Sequence, residues 1–471
     1  MKYRVTCNEL DYRGYGVVKN LEKVGFIKNL LPGEEAYIKI NFEKRNFFEG
    51  EVVELLTRSK FRTDCQDDLD NNSLIHLESQ MQLEFQKDIT AQTFLRNGIT
   101  NFKLENILHN DKLFNYRNKA LFFVRNNPFL ELGGYKERSR NFQKIDNLIL
   151  VETPINNILN ELNDYYQNER VYCHELSSVV IRSNYQSQIM VIFVTNNQKV
   201  LPEIVYKPLL DNPDVVSIYQ NYKDSDTRNT GAVSVLIAKN EFLIDSLDGV
   251  EYVLYPNSFF QINRDVTADT YKLINNFLDQ NDIVIDAFAG ISSIGQFVSN
   301  KVKQVYSIEI DDDSVKAAKE SIVRNQIKNI EVIHGDFNKE FNKVKNKANV
   351  LIIDPPRSGI NDKVLNIINE SKLEKIIYLS CNLRTLVRDL KLLANYDVIS
   401  VRPIKMFFQT VEMETLVYLE AKKWLTIFLI TLDIYYMKKW LMKFIQENLL
   451  KFQEFHQWVK RPIGLTQNLK R

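Results

Sequence analysis

Along the chain, the rhythm of hydrophobic and polar positions changes three times. Residues 1–62 alternate short β-prone runs with turn residues: Tyr3–Thr6, Gly14–Val18, Gly25–Ile27, Ala36–Ile40 and Gly50–Leu55. Five such runs at roughly 8–12-residue spacing predict a small closed barrel. Residues 63–250 are less regular: Leu74 to Gln92 has a helical period, while Ala120–Val124, Val179–Arg182 and Ile189–Val194 read as strands between Asn-rich turns. An α/β middle domain is expected there. In the third part, 251–422, a regular order begins at residue 283. Apolar strands are predicted at Ile283–Ala287, Val305–Ile308, Ile330–Ile333, Val350–Ile353, Lys375–Leu379, Val398–Val401 and Leu416–Leu419, with helices such as Ser314–Asn325 and Leu383–Leu393 between them. Continuous apolar strands alternating with helices predict a doubly wound, mostly parallel sheet. Such sheets bind ligands at the carboxyl ends of their strands, so the residues after each strand carry the functional information.

Composition narrows the class. The 471 residues are 44% hydrophobic and 26% charged, an ordinary globular balance that excludes disorder, collagen and a membrane-embedded chain. The net charge of +1 is an average over unlike parts: +3 in residues 1–62, +5 in residues 424–471 and −7 in the remainder. Tyr12, Tyr15, Phe42, Phe47 and Phe48 are interleaved with the basic residues of the barrel, where they either stack bases or fill a small core. The tail, 423–471, sets Trp440, Phe444, Leu449, Phe452 and Phe455 at helical spacing and reads as a basic amphipathic extension. Cys7, Cys65, Cys173 and Cys381 form no C-x-x-C pair, so neither a zinc site nor a disulfide framework is expected. The N-terminus has no apolar signal region, and the longest apolar stretch near the other end, Trp424 to Leu432, is far short of the roughly 20 residues that span a bilayer. A soluble cytoplasmic protein with no membrane partner is expected; nothing specifies its oligomeric state.

The strand ends carry candidate chemistry. Asp286-Ala287-Phe288-Ala289-Gly290 is a glycine-containing turn after the first strand. Glu309 ends the second strand 19 residues beyond Gly290, where an acid can accept ribose hydroxyls. Asp336 and Asp354 follow the third and fourth strands, and the ordered set favours a nucleoside-bearing cofactor. Cys381 ends the fifth, next to Arg384 and Arg388, which predicts a lowered thiol pKa and a nucleophile; an inert buried Cys is the plain alternative. Glu412 and Glu414 precede the last strand, and either one can be read as a general base.

Together, Phe259-Phe260-Gln261-Ile262-Asn263, Asp286-Ala287-Phe288-Ala289-Gly290, Asp354-Pro355-Pro356-Arg357, Ser380-Cys381-Asn382 with Thr385 and Arg388-Asp389, and Phe408-Gln409-Thr410 before Glu414-Thr415 resemble the uracil-5 RNA methyltransferases. The resemblance runs from about residue 3 to residue 421 and includes Tyr116-Arg117-Asn118-Lys119. It implies an N-terminal OB-type barrel of the TRAM kind, a middle RNA-substrate domain over 63–250, and a Rossmann-like class I methyltransferase domain over 251–422. It also implies that Gln261, Phe288, Glu309 and Asp354 bind S-adenosylmethionine, that Cys381 is the nucleophile and that Glu414 is the base. The implied reaction is methylation of carbon 5 of a uridine, with 23S ribosomal RNA the expected substrate and transfer RNA the alternative. Many relatives hold a 4Fe–4S cluster on four cysteines. Only Cys65 stands where the first would be, so no cluster and no metal are expected.

Three departures bear on activity. Ser292 stands where a second glycine is usual, Phe408 where a proline is, and Val411-Glu412 where histidines often precede the base. Two rivals follow: an RNA-binding assembly factor weakened in catalysis by these changes, and a nicotinamide-dependent oxidoreductase, disfavoured by the incomplete glycine fingerprint.

Overall fold

A computed structural model describes residues 2–65, 72–136, 141–223 and 229–422, so the amphipathic extension expected over 423–471 lies outside the described residues. The first part is a closed barrel in which Tyr3–Leu10, Gly16–Val18, Val24–Lys28, Phe47–Leu55 and Glu35–Glu43 are neighbours in that order. Alternation dictates its filling: Val5, Cys7, Val18, Ile27, Ala36, Ile38 and Phe48 point inward. A Cβ at Gly25 would lie 2.2 Å from the Phe48 ring, so this strand position is glycine because the ring lies against the backbone there. Of the interleaved aromatics, only Phe48 is fully buried; Tyr12 and Phe42 are about half exposed, at 53% and 47%.

The middle sheet has seven strands in the order Val233–Lys239, Val215–Tyr222, Ile189–Thr195, Leu176–Ser183, Lys119–Asn126, Leu130–Tyr135 and Phe142–Lys144. Val179, Ile181, Val191 and Phe193 face the helix Thr153–Asn168, while Val180, Met190 and Ile192 face the hairpin of Leu243–Leu247 and Val250–Leu254 and the core behind it. The expected helix over 74–92 begins later, at Ser79, and runs to Arg96. Residues 74–77 turn instead, because the Leu74 N–H is bound by the Gln409 carbonyl and Leu77 bridges to Arg62.

The third sheet holds eight strands: Ile330–His334, Gln304–Glu309, Ile283–Ala287, Val350–Ile353, Lys375–Ser380, Glu414–Ala421, Tyr396–Ile404 and Lys103–Leu104. The first five run parallel, which sets their carboxyl ends on one edge, and Glu414–Ala421 is antiparallel to Lys375–Ser380. Every strand expected from 283 onward is present; Ile283–Ala287 and Val350–Ile353 keep the expected bounds, three others are one or two residues longer, and the last two, Tyr396–Ile404 and Glu414–Ala421, are four or five longer. Lys103–Leu104, from within the 63–250 stretch, closes the far edge by pairing with Ser400 and Val401. No helix among the described residues is long and apolar enough to cross a membrane.

One buried ion pair fastens the barrel to the chain that follows. Glu34 is fully buried and accepts hydrogen bonds from Arg62 Nε at 2.6 Å and Nη2 at 2.7 Å, and from the Leu31 and Ser59 N–H groups. Burial alone would push its pKa up, but Arg62 and the two N–H groups outweigh it and hold the carboxyl below its ordinary range. Removing Arg62 leaves a buried carboxylate, so Arg62→Ala is expected to cost about 3–5 kcal/mol in urea unfolding. A depressed folded pKa gives stability that is complete above the unfolded value and lost as pH falls through the folded one. The difference between wild type and variant should therefore shrink below about pH 4; a difference independent of pH would contradict the pairing.

Candidate active site

The site lies along the edge where the parallel strands end. Glu309 terminates the second strand and turns its carboxylate back onto the first turn, accepting from the Gly290 N–H at 2.7 Å and from those of Ile310 and Asp311. Gly290 has φ +53 with open space where a Cβ would stand, and Phe288 beside it has φ 58. The half-buried Phe288 ring meets Phe337, centroid to centroid 4.9 Å, and Asp336 stands at the start of that helix, Phe337–Val344, without capping it. Ser292 occupies a left-handed position at φ 57, yet it is buried beneath the turn and bonded to Ser307 Oγ at 2.7 Å. The substituted serine is thus absorbed by the core.

Acids gather on this edge with little to neutralise them. Asp286 is buried and pushed up to about 7 by desolvation, against hydrogen bonds from Gly295 N and Ser307. Asp354 is raised by desolvation, opposed by Gln261 Nε2 at 3.4 Å. Glu414 is held far above the usual carboxylate range by burial, then by Asp354 and Glu412; its Oε2 has no hydrogen-bond partner. Among the described residues, the cation acting on this group is Arg357, which pairs with Glu412 at 2.9 Å. Carboxyl groups clustered with so few cations suit a positive ligand better than a negative one.

Strand register brings Cys381 to Glu414. Lys375 pairs with Glu420 and Ser380 with Thr415, so the next step of the same ladder sets residue 381 opposite 414. The expected lowering of the Cys381 pKa is not observed: the thiol is pushed up to about 11 by burial first and Glu414 second, with Arg357 opposing. The two arginines invoked from sequence point elsewhere. Arg384 lies over the Tyr12 ring at 3.9 Å, and Arg388 pairs with Asp389 and donates to the Ser358 and Ile360 carbonyls. Among the described residues, no group of three or more His, Cys, Asp or Glu is arranged for a metal, and Cys65 is exposed.

The remaining motif residues act as fasteners. Asn382 Nδ2 and Thr385 Oγ1 both donate to the Arg357 carbonyl, and Asp389 accepts from the Ile360 N–H and the Tyr378 hydroxyl. Those bonds seat the Asp354–Gly359 loop on the helix Leu383–Leu392. The loop ahead of Glu414 is held from a distance: Gln82 Nε2 donates to Gln409 Oε1 and its own Oε1 accepts from Gln409 N, while the Tyr116 hydroxyl donates to the Phe408 carbonyl. Lys405, fully buried and lowered to about 7 by desolvation, donates to the Thr410 carbonyl. Asn118 holds the Gln261 carbonyl. Of these, Gln82 has no sequence signal, because its role depends on a partner 327 positions away.

Known proteins match this chain over most of its length. The family model described as tRNA (uracil-5-)-methyltransferase matches residues 81–422. A protein of Lactobacillus johnsonii described as an RNA methyltransferase is 28% identical over 443 residues, covering 89% of this chain and 96% of that protein. One of Streptococcus agalactiae serotype V with the same description is 30% identical over 431 residues, 86% and 96%. Among solved structures, the Pyrococcus abyssi tRNA (uracil-54, C5)-methyltransferase in complex with S-adenosyl-L-homocysteine has a TM-score of 0.73 at 22% identity, covering 88% of this chain and 99% of that one, a likeness of fold.

The raised thiol pKa makes a direct prediction. In a Cys65→Ser background, alkylation of Cys381 by iodoacetamide should rise about tenfold per pH unit between pH 7 and 9, since only the thiolate reacts. A rate already level at pH 7 would contradict the geometry.

Proposed function

Because the chain belongs to the tRNA (uracil-5-)-methyltransferase family, we propose that it transfers a methyl group from S-adenosylmethionine to carbon 5 of a uridine in structured RNA through a transient bond to Cys381. The observation that carries this reading is Cys381 in register with Glu414 on an edge rich in buried acids. In this reading Gln261, Phe288, Glu309 and Asp354 hold the cofactor, which supplies an electrophilic methyl group next to a positively charged sulfur. That charge suits the acids of the site, whereas a nicotinamide cofactor would bring its negative pyrophosphate to the same edge. The barrel is then a TRAM-type OB module, 63–250 the RNA-substrate domain and 251–422 the class I catalytic domain.

The chain's own groups account for the rest of the reaction. Carbon 5 of uracil is a weak nucleophile until Cys381 Sγ adds to carbon 6 and sends an electron pair towards the carbonyl at carbon 4. After methylation, Glu414 takes the hydrogen from carbon 5 as a proton, the carbon 6–sulfur bond breaks, and the thiolate leaves. Cys381 and Glu414 act as anions, and positive charge bound beside them favours both by offsetting the desolvation and the neighbouring carboxylates that raise their pKa values. The buried position of Ser292 and the intact Cys381–Glu414 pair argue against loss of catalysis.

Cys381→Ala is expected to lower methyl transfer from labelled cofactor by about a thousandfold or more while leaving S-adenosylhomocysteine binding near wild type; near-normal turnover would remove the thiolate from the mechanism. Glu414→Gln should stop at the methylated adduct, visible as a protein–RNA band that survives denaturation, with turnover down about 10²–10⁴-fold. For the RNA itself, 23S ribosomal RNA stands beside transfer RNA, the class in the family's name. Transcripts of each, offered separately with labelled cofactor, decide between them.

A further inference from the structure

Two cations face each other on the middle sheet, and no acid among the described residues is paired to either. Lys119 and Arg182 are direct cross-strand partners, so their side chains share one face. Arg182 is buried, 2% exposed; its Nη2 donates to the Ser258 carbonyl at 2.7 Å, and its Nη1 has no partner. The acid that acts on Arg182, Asp245, is committed to Arg264. Lys119 makes no ion pair among the described residues, and the Arg182 charge, ahead of burial, pushes its ammonium down to about 7. Two like charges held together, with Arg182 buried and Lys119 at the part-exposed rim, are costly unless something negative joins them. The pair also adjoins the catalytic edge: Ser258 is three positions before Gln261, and Asn118, next to Lys119, holds the Gln261 carbonyl.

The same face continues outward as an aromatic surface. Strand alternation sets Lys119, Leu121, Phe123 and Arg125 on one side. Phe123 and Tyr135 are 37% and 42% exposed; their rings meet at 5.2 Å, Tyr135 meets Phe142 at 5.7 Å, and Arg125 lies over Phe142 at 4.5 Å. The opposite face, with Phe122, Leu130 and Leu132, is buried under the helix Thr153–Asn168, so these outer rings are not needed for that core. Exposed rings on a sheet, interleaved with cations, are how single-stranded RNA is stacked and tracked.

We propose that this face carries the RNA strand leading to the target uridine, with Lys119 and Arg182 receiving a backbone phosphate and Phe123, Tyr135 and Phe142 stacking the bases before it. The proposal rests on the reading of the chain as an RNA enzyme and adds where the strand lies. The test is fluorescence anisotropy of the full chain with a labelled single-stranded oligouridine across a salt series, with S-adenosylhomocysteine binding by calorimetry as the folding control. Lys119→Gln keeps the aliphatic stem, and should lower the slope of log affinity against log salt by about 0.7, one phosphate's worth. Phe123→Ala with Tyr135→Ala should weaken binding about 5- to 100-fold with the slope unchanged. Wild-type affinity and slope in both variants would overturn the proposed path alone. A wild-type chain that binds S-adenosylhomocysteine but no RNA would overturn the functional reading with it.

Discussion

The antiparallel pairing of Glu414–Ala421 with Lys375–Ser380 decides where the chemistry sits. Parallel strands deliver their carboxyl ends to one edge, and with parallel strands alone every functional group there would come from a strand's end. Reversing one strand brings a residue at the start of Glu414–Ala421 to the same edge, and the pairing of Ser380 with Thr415 makes that residue Glu414. A one-residue slip would turn each side chain of the strand to the opposite face and separate Glu414 from Cys381. Much else in the molecule serves to hold that register. Gln82 and Tyr116, from outside the catalytic sheet, bind the loop 408–410, and Lys405 closes the loop from inside.

The electrostatics follow from where that edge is buried. Asp286, Asp354 and Glu414 lie in a setting too dry for three carboxylates, so protons stay on them and on the Cys381 thiol beyond their usual range. Desolvation is the largest cause at each, which makes this a property of packing more than of any single pair. Arg357 tempers it from the rim, tied to Glu412. In the proposed reaction, positive charge entering this edge favours the anionic forms of Cys381 and Glu414 together.

What was legible in the sequence and what was not divide along physical lines. The strands from 283 onward were readable because buried parallel strands are continuous apolar runs, and the barrel because its alternation is short and regular. The strand-end residues Glu309, Asp354 and Cys381 followed from topology. The helix start was misplaced because the Leu74 N–H is taken by Gln409, a partner more than 300 positions away. The sign of the Cys381 shift was misread for the same reason: Arg384 and Arg388 are near in sequence, but Tyr12 and Asp389 claim them in space. Lys119 was legible only as part of the Tyr116–Lys119 motif, and its neighbour Arg182 not at all, since only sheet pairing brings the two together. Distances along the chain predicted elements well and electrostatic partners poorly.

The covalent step is the center of the reading, and a transcript carrying 5-fluorouridine at the target position tests it most directly, because fluorine cannot leave carbon 5 as a cation and the adduct cannot break down. Intact-protein mass spectrometry after incubation with S-adenosylmethionine should find one RNA and one methyl group joined to the chain, mapped by digestion to Cys381 and absent from Cys381→Ala. Methylation of ordinary transcript by a protein that forms no adduct with the fluorinated one, or an adduct on any other residue, would contradict it.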